Sequence, residues 1–265
     1  MAKPVCRNAT KTMSMTRPFV FAWHFLTAIP ISRRHHDPTA DELAASMAWY
    51  STVGLMIGGL LAFVDQVLRW WMAAEVVSVL VIVLLVLLTR GLHQDGLADT
   101  VDGLAGGRTV DDRLRIMRDP NVGALGATGL FLSLLLRYAA LLALPQPWRL
   151  PVLLCMPAVG RWAMVCVAWS SPYARRDGGL ASAFLTNLSW RHVLLSSLVL
   201  AVAVTAGLGA APALATMGLG TLVVVLVRQG CRKWFGGVTG DVLGATNELI
   251  EILFLLLVPG LVMTR

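Results

Sequence analysis

The sequence predicts an all-α protein: a polytopic, integral-membrane helical bundle of about seven spans, preceded by a half-inserted N-terminal segment. Three observations carry that prediction. Of 265 residues, 57% are hydrophobic and 14% charged, whereas soluble domains run near a quarter charged. Mean hydropathy is +0.71. Apolar runs recur at about the 20-residue length that crosses hydrocarbon as a helix, the geometry that satisfies every backbone amide within one segment. A chain this long holds roughly six to eight such runs and little else. One membrane-embedded catalytic domain, residues 19–265, is therefore expected behind a basic, disordered extension, residues 1–18.

In chain order, Phe19 to Ile31 is apolar but stops at "IPIS" after about 13 residues, which suits a re-entrant or interfacial segment. It also lacks a small-residue cleavage pattern, so a removed signal peptide is not expected, and Met13 or Met15 is an alternative start. The candidate spans are Trp49 to Leu68, Ala74 to Leu88, Val122 to Leu144, Leu150 to Trp169, Val193 to Ala211, Leu214 to Val227 and Gly244 to Val262. The second and sixth are nearer about 15 residues and require a thinned bilayer or extension at their ends. Cys6, Cys155, Cys166 and Cys231 show no CxxC spacing and read as reduced packing residues.

Basic residues in short loops are retained on the cytoplasmic side. Alternating seven spans places Lys3, Arg7, Lys11, Arg17, Arg33 and Arg34 on one side with the loops 90–118, 175–191 and 228–233. Arg69, Arg149 and Arg265 fall on the other. The first side is thus expected to face the cytoplasm, across a bacterial inner membrane. The net charge of +7 follows from this sorting, and nucleic acid is not needed to explain it.

The informative stretch is "TRGLHQDGLADTVDGLAGGRTVDDRLRIMRDP", residues 89–120, which holds six of the fifteen carboxylates. Asp95, Asp99 and Asp102 at i, i+4 and i+7 fall within about 60° on one helix face. Like charges so placed repel, and no lysine is interspersed. A divalent cation with oxygen ligands, Mg²⁺ or Mn²⁺, is the simplest compensation. The alternative is a solvated helix end paired with Arg90, Arg108 and Arg113. His93 lies about 160° from Asp95 on the same wheel, so it reads first as an interfacial histidine and second as a substrate-binding one. "GLAGG" reads as a flexible break, after which Thr109 and Asp112 form a capping box that opens a short surface helix closed at Asp119-Pro120. Arg113 and Arg118 then become candidates for a diphosphate, which metal and guanidinium neutralise together. Arg115 is equally suited to pairing along its own helix with Asp111 and Asp119.

A second constellation, "GGVTGDVLGATNELIE", residues 236–251, opens the last span. Asp241 and Glu248 share a face, with Asn247 adjacent. Asp241 reads as a functional acid or as a helix cap. Glu248 and Glu251 fall within the bilayer, where an ionisable group marks function by default.

Together "GLHQDGLADTVDGLAGG", "RLRIMRDPNVGALG", "FLTAIPIS" and "GGVTGDVLGATNELIE" closely resemble the cobalamin synthase family, adenosylcobinamide-GDP ribazoletransferases, over nearly the whole chain from about Phe19. The resemblance implies an integral-membrane, Mg²⁺-dependent enzyme that joins adenosylcobinamide-GDP to α-ribazole or its 5′-phosphate and releases GMP. On that reading Asp95, Asp99 and Asp102 hold the metal, Arg113 and Arg118 take the diphosphate, and Asp241 or Glu248 orients or deprotonates the acceptor hydroxyl. Asn247 and His93 complete the substrate-binding set. Ala28, where the family usually has a basic residue, and Gln94, where an apolar one is usual, are departures. The lipid bilayer is an expected partner and a homo-oligomer is compatible with the reading. Two rivals stay open at this point. Prenyltransferases and CDP-alcohol phosphotransferases carry DGxxAR or NDxxD arrangements that this chain lacks, and a transporter would scatter its acids at the midplane of interrupted helices.

Overall fold

A computed structural model describes residues 16–32, 37–175 and 177–262. The expectations for the extension before Thr16, for Cys6 and for Arg33 and Arg34 lie outside these residues. Twelve α-helices form among them: α1 (Thr16–Leu26), α2 (Ala40–Ser46), α3 (Tyr50–Leu68), α4 (Ala74–Thr89), α5 (Leu92–Gly106), α6 (Val110–Ile116), α7 (Ala124–Ala143), α8 (Gln146–Ser170), α9 (Leu180–Leu185), α10 (Trp190–Leu208), α11 (Ala210–Trp234) and α12 (Gly240–Val262). The sole β feature among the described residues is one parallel bridge between Tyr173 and Val238.

All seven apolar runs fold as helices. Five stretches are each long and apolar enough to cross a membrane: Ala40–Leu68, α7, α8, α10 and α11. The first is longer than its apolar run because α2, opened by a Thr39–Glu42 capping box, continues through a 3-10 turn into α3. The sixth run is extended at both ends into the 25-residue α11. The second is not extended. It ends at Thr89, and α4 and α5 are long and apolar enough to cross a membrane only together, with an 88° bend between them. Arg90 and Gly91 both adopt left-handed backbone, φ 55° and 66°, and turn α5 across the end of α4. Arg90 is held in this costly conformation for a non-glycine by its guanidinium, which donates to the His24 carbonyl at 2.9 Å.

The centre of the bundle is α8, most of whose apolar length is buried, whereas α7, α10 and α11 leave most of theirs on the outside. The outer faces of those helices present Phe131, Leu198, Val202, Leu214 and Leu222, as a lipid-facing surface requires. α1 is too short to cross and packs Ala22 and Leu26 fully against α2 and α3. At the ends of α3 and α8 remote from the acidic stretch, Arg149 clasps Asp65 at 2.7 and 2.9 Å and Ser78 at 3.0 Å. Arg69 adds a contact to Asp65 at 3.3 Å. Of the arginines expected on that side, Arg69 and Arg149 are thus partners of one buried carboxylate, and Arg265 lies outside the described residues.

Candidate functional site

α5 is one continuous helix through Gly106, so Asp95, Asp99 and Asp102 do share a face, and "GLAGG" is the last turn of the helix instead of a flexible break. α5 lies directly on the start of α12. A Cβ at Gly96 would stand 2.6 Å from the Asp241 carbonyl oxygen, so only glycine allows this approach. The closeness brings Asp95 and Asp99 beside Asp241. Asp241 is in the first turn of α12, and Thr239 supplies the cap by accepting from the Val242 amide at 3.2 Å. Its carboxylate accepts from Arg175 at 2.7 Å and from the Thr239 hydroxyl at 3.3 Å.

Arg175 sits in the 171–179 loop, which is anchored by Ala174 N–H donating to the Val238 carbonyl at 2.9 Å and by Val238 N–H donating to that of Pro172 at 2.8 Å. Asp99 experiences the charges of Asp95, Asp241 and Asp102. Partial burial first, and those three carboxylates next, push its carboxyl up to about 6, against only a weak pull downward from Arg175. Negative charge is therefore gathered here faster than this chain neutralises it. Among the described residues no three acidic, His or Cys side chains form a preformed metal cage. Asp102 has a definite partner: its two oxygens accept from the amides of Gly123 and Gly126 at 2.7 and 2.8 Å, holding the N-terminus of α7.

Two concavities meet at Arg175. The first, about 210 Å³, wraps the first turn of α5 and is lined by His93, Asp95 and Asp241 and by the aromatic rings of Phe25, Tyr50 and Phe184. The second is an open groove between α6 and the 174–177 loop, lined by Asp111, Arg115, Arg118, Arg175 and Asp177. Arg118 lies in this groove, with both carboxylate oxygens of Asp177 at 2.7 Å. Arg113 is in neither. It packs on Gly107 and donates to the Trp234 carbonyl at 3.2 Å, which ties α6 to the end of α11. The expected Thr109–Asp112 capping box is present, at 3.1 and 3.2 Å.

Behind the cavity, buried in the bundle, lies an ion network. Arg137 of α7 donates to Glu248 at 2.8 Å and to Glu251 at 2.6 Å. Arg161 of α8 pairs with Glu251. Gln94 donates to the other oxygen of Glu248 at 3.2 Å, and Asn247 to Glu251 at 3.0 Å. Both oxygens of Glu248 are therefore occupied and neither lines the cavity, so Asp241 is the acid of that pair that the site exposes. The departure at Gln94 has a role here as a donor to a buried carboxylate. Ala28 contributes through its backbone, donating to the Leu88 carbonyl at 2.6 Å.

The interfacial reading of His93 is overturned: its side chain is 1% exposed, because the bend after α4 turns that face of α5 into the bundle. Asp95, Asp99, Asp241 and His93 thus come together, Arg118 sits one groove away, and Arg113, Glu248 and Asn247 serve neighbouring contacts. Sequence reasoning missed Arg175, Arg137 and Arg161. For the last two a signal existed, since a lone arginine inside "LSLLLRYAA" or "PAVGRWAMV" is an intramembrane ionisable group that needs a partner.

A family model described as cobalamin-5-phosphate synthase matches residues 18–259. The chain belongs to the cobalamin-5-phosphate synthase family. Family relatives named adenosylcobinamide-GDP ribazoletransferase include one from Syntrophobacter fumaroxidans, 40% identical over 82% of this chain and 87% of its own. Another from Chlorobaculum tepidum is 38% identical over 89% and 92%. No solved structure matches. The matched span of the family model covers both concavities, the carboxylates and the ion network.

Proposed function

We propose that this chain transfers the adenosylcobinamide phosphate moiety of adenosylcobinamide-GDP to the ribose 3′-hydroxyl of α-ribazole or its 5′-phosphate and releases GMP, at the cytoplasmic face of a bacterial inner membrane. The observation that carries this reading is the convergence of Asp95, Asp99 and Asp241 from two helices where a cavity and an arginine-lined groove meet. Two substrates need two approaches to one reacting centre, and a diphosphate needs positive charge beside a site that otherwise holds acids.

Asp95 and Asp99 are the residues suited to hold Mg²⁺ or Mn²⁺: their oxygens are hard ligands and the charge accumulated on Asp99 calls for a cation. Asp102 lies behind them, engaged with α7. When bound, the ion would neutralise the diphosphate oxygens and the charge that develops on departing GMP. Arg175 and Arg118 supply the guanidinium contacts for that diphosphate. The acceptor oxygen forms a bond to the cobinamide-side phosphorus, the bond from that phosphorus to the oxygen of GMP breaks, and the hydroxyl proton passes to a carboxylate, for which Asp241 is the exposed candidate. Displacement of this type is mainly positioning and charge stabilisation, which a rigid pair of packed helices provides.

Membranes containing the protein are expected to release GMP from adenosylcobinamide-GDP when α-ribazole is present, to stop on chelation with EDTA, and to resume when Mg²⁺ is restored. Failure to release GMP with both substrates and Mg²⁺ at saturation would sink the reading.

A further inference from the structure

We propose that the aromatic cavity receives the planar heterocycle of the acceptor, with the Nε2–H of His93 donating to the one unsubstituted nitrogen of that ring. The proposal rests on the transfer reaction above and adds which substrate occupies which concavity.

The first support is shape and chemistry. Phe25 stacks near Tyr50 at 6.3 Å with 20° between ring planes, and near Phe184 at 4.9 Å. Met47 and Met164 line the same space. Flat, apolar and polarizable walls of this kind suit a planar aromatic guest. A volume of about 210 Å³ admits a bicyclic ring and excludes a corrin macrocycle, so the bulky donor must approach from elsewhere. The arginine-lined groove, joined to the cavity at Arg175, is that approach.

The second support is independent and fixes a hydrogen bond. Nδ1 of His93 lies 3.4 Å from Nη2 of Arg161. A guanidinium only donates, so Nδ1 must accept, and the neutral ring then carries its proton on Nε2. Arg161 is not free to turn away, because it also bonds Glu251 and the Pro157 carbonyl. Nε2 is buried and has no partner among the described residues. A buried donor left unmatched is rare in native structures and calls for an explanation, and a bound acceptor atom is one.

A dimethylbenzimidazole linked to ribose through one ring nitrogen offers the other as a single acceptor, with methyl groups on its remaining edge. Guanine and adenine, the purines carried by the donor, present several donors and acceptors on their edges, more than the single Nε2–H of His93 meets. Arg161 acts as a positioning residue, since it sets the tautomer without reaching the ligand.

The experiment uses purified full-length protein in detergent. By calorimetry, 5,6-dimethylbenzimidazole should bind about tenfold or more tightly than 5,6-dimethylindole, which lacks the acceptor nitrogen, because a site built to bond a polar atom rejects the analogue without it. His93→Gln, whose amide nitrogen can take the place of Nε2, should keep that preference, and His93→Ala should abolish it. Ala181 of α9 also lines the cavity, so in the transfer assay Ala181→Leu narrows it and should raise KM for α-ribazole by about tenfold or more while KM for adenosylcobinamide-GDP stays within about twofold. Equal binding of the two heterocycles to the wild type, or a rise in the KM of the donor instead, would overturn the proposal. The binding comparison needs no substituted protein to fold. It also separates the two readings: loss of GMP release in the wild type counts against the reaction, and loss of heterocycle preference counts against the cavity assignment.

Discussion

At the mouth of the cavity, Asp95 and Asp99 of α5 lie beside Asp241 of α12 with Arg175 as the neighbouring cation; two turns further along α12, Glu248 and Glu251 are fully buried between Arg137, Arg161, Gln94 and Asn247. Both groups join the same pair of helices, yet the deeper one is matched by two arginines and two amides, and the outer one is left in excess. Burial accounts for the difference. An unpaired carboxylate inside the bundle would be too costly, so the chain must bring its own counter-charge. At the half-exposed mouth, water tolerates the excess until a ligand replaces it. Where acids in this fold are compensated they hold helices together, and where they are not they are available to a ligand.

The largest effect is expected from breaking the matched group. Arg137→Met leaves Glu248 and Glu251 short of their shared cation and should destabilise the protein by about 3–5 kcal/mol, read as lost accumulation in membranes and a lower Tm in detergent. Replacing Glu248 by glutamine in the same chain, which leaves Glu251 matched by Arg161, should recover much of that loss. If Arg137→Met alone leaves Tm unchanged, the network is not what holds α7 to α12.

Removing charge from the unmatched group should do the opposite. Asp99→Asn is expected to lower GMP release by about 100-fold, the scale of losing one electrostatic contact in a reacting centre, while Tm stays equal or rises because repulsion with Asp95, Asp241 and Asp102 is relieved. A drop in Tm with activity intact would erase the distinction between the two groups.

The smallest effect is a dependence on pH. The Asp99 carboxyl stands at about 6 against its ordinary 3.8, so between those values the folded chain holds more proton than the unfolded one. Its contribution to stability is accordingly lost as pH rises through about 6 in metal-free protein. Proton and cation compete for the same oxygens, so the Mg²⁺ concentration for half-maximal activity should increase by up to about tenfold per pH unit below 6. A flat Mg²⁺ requirement from pH 5 to 7 would remove Asp99 from the cation site.

Much of this was legible in the sequence because it is periodic. Seven apolar runs announced seven helices, and aspartates at i, i+4 and i+7 announced a shared face that the continuous α5 preserves. The Thr109–Asp112 cap is local chemistry and was read correctly for the same reason. The misreadings arose where distant segments decide. The wheel placed His93 away from Asp95 but could not reveal that an 88° bend turns this face inward. Arg113 looked equivalent to Arg118 until the end of α11 claimed it. Arg175 carried no helical spacing at all, and its partnership with Asp241 depends on a bridge between Tyr173 and Val238. Asp102 matched its neighbours in spacing, yet the amides that occupy it lie 21 and 24 residues onward.

That grip of Asp102 on α7 also has an entropic side. It closes the chain into a loop running from the end of α5 through α6 and back, so the segment that carries Arg115 and Arg118 is tethered at both ends. Closing a loop of this size limits the volume its middle can explore, and so raises the effective concentration of those guanidinium groups over the groove. One carboxylate that never needs to touch a substrate thereby keeps two cations within reach of it.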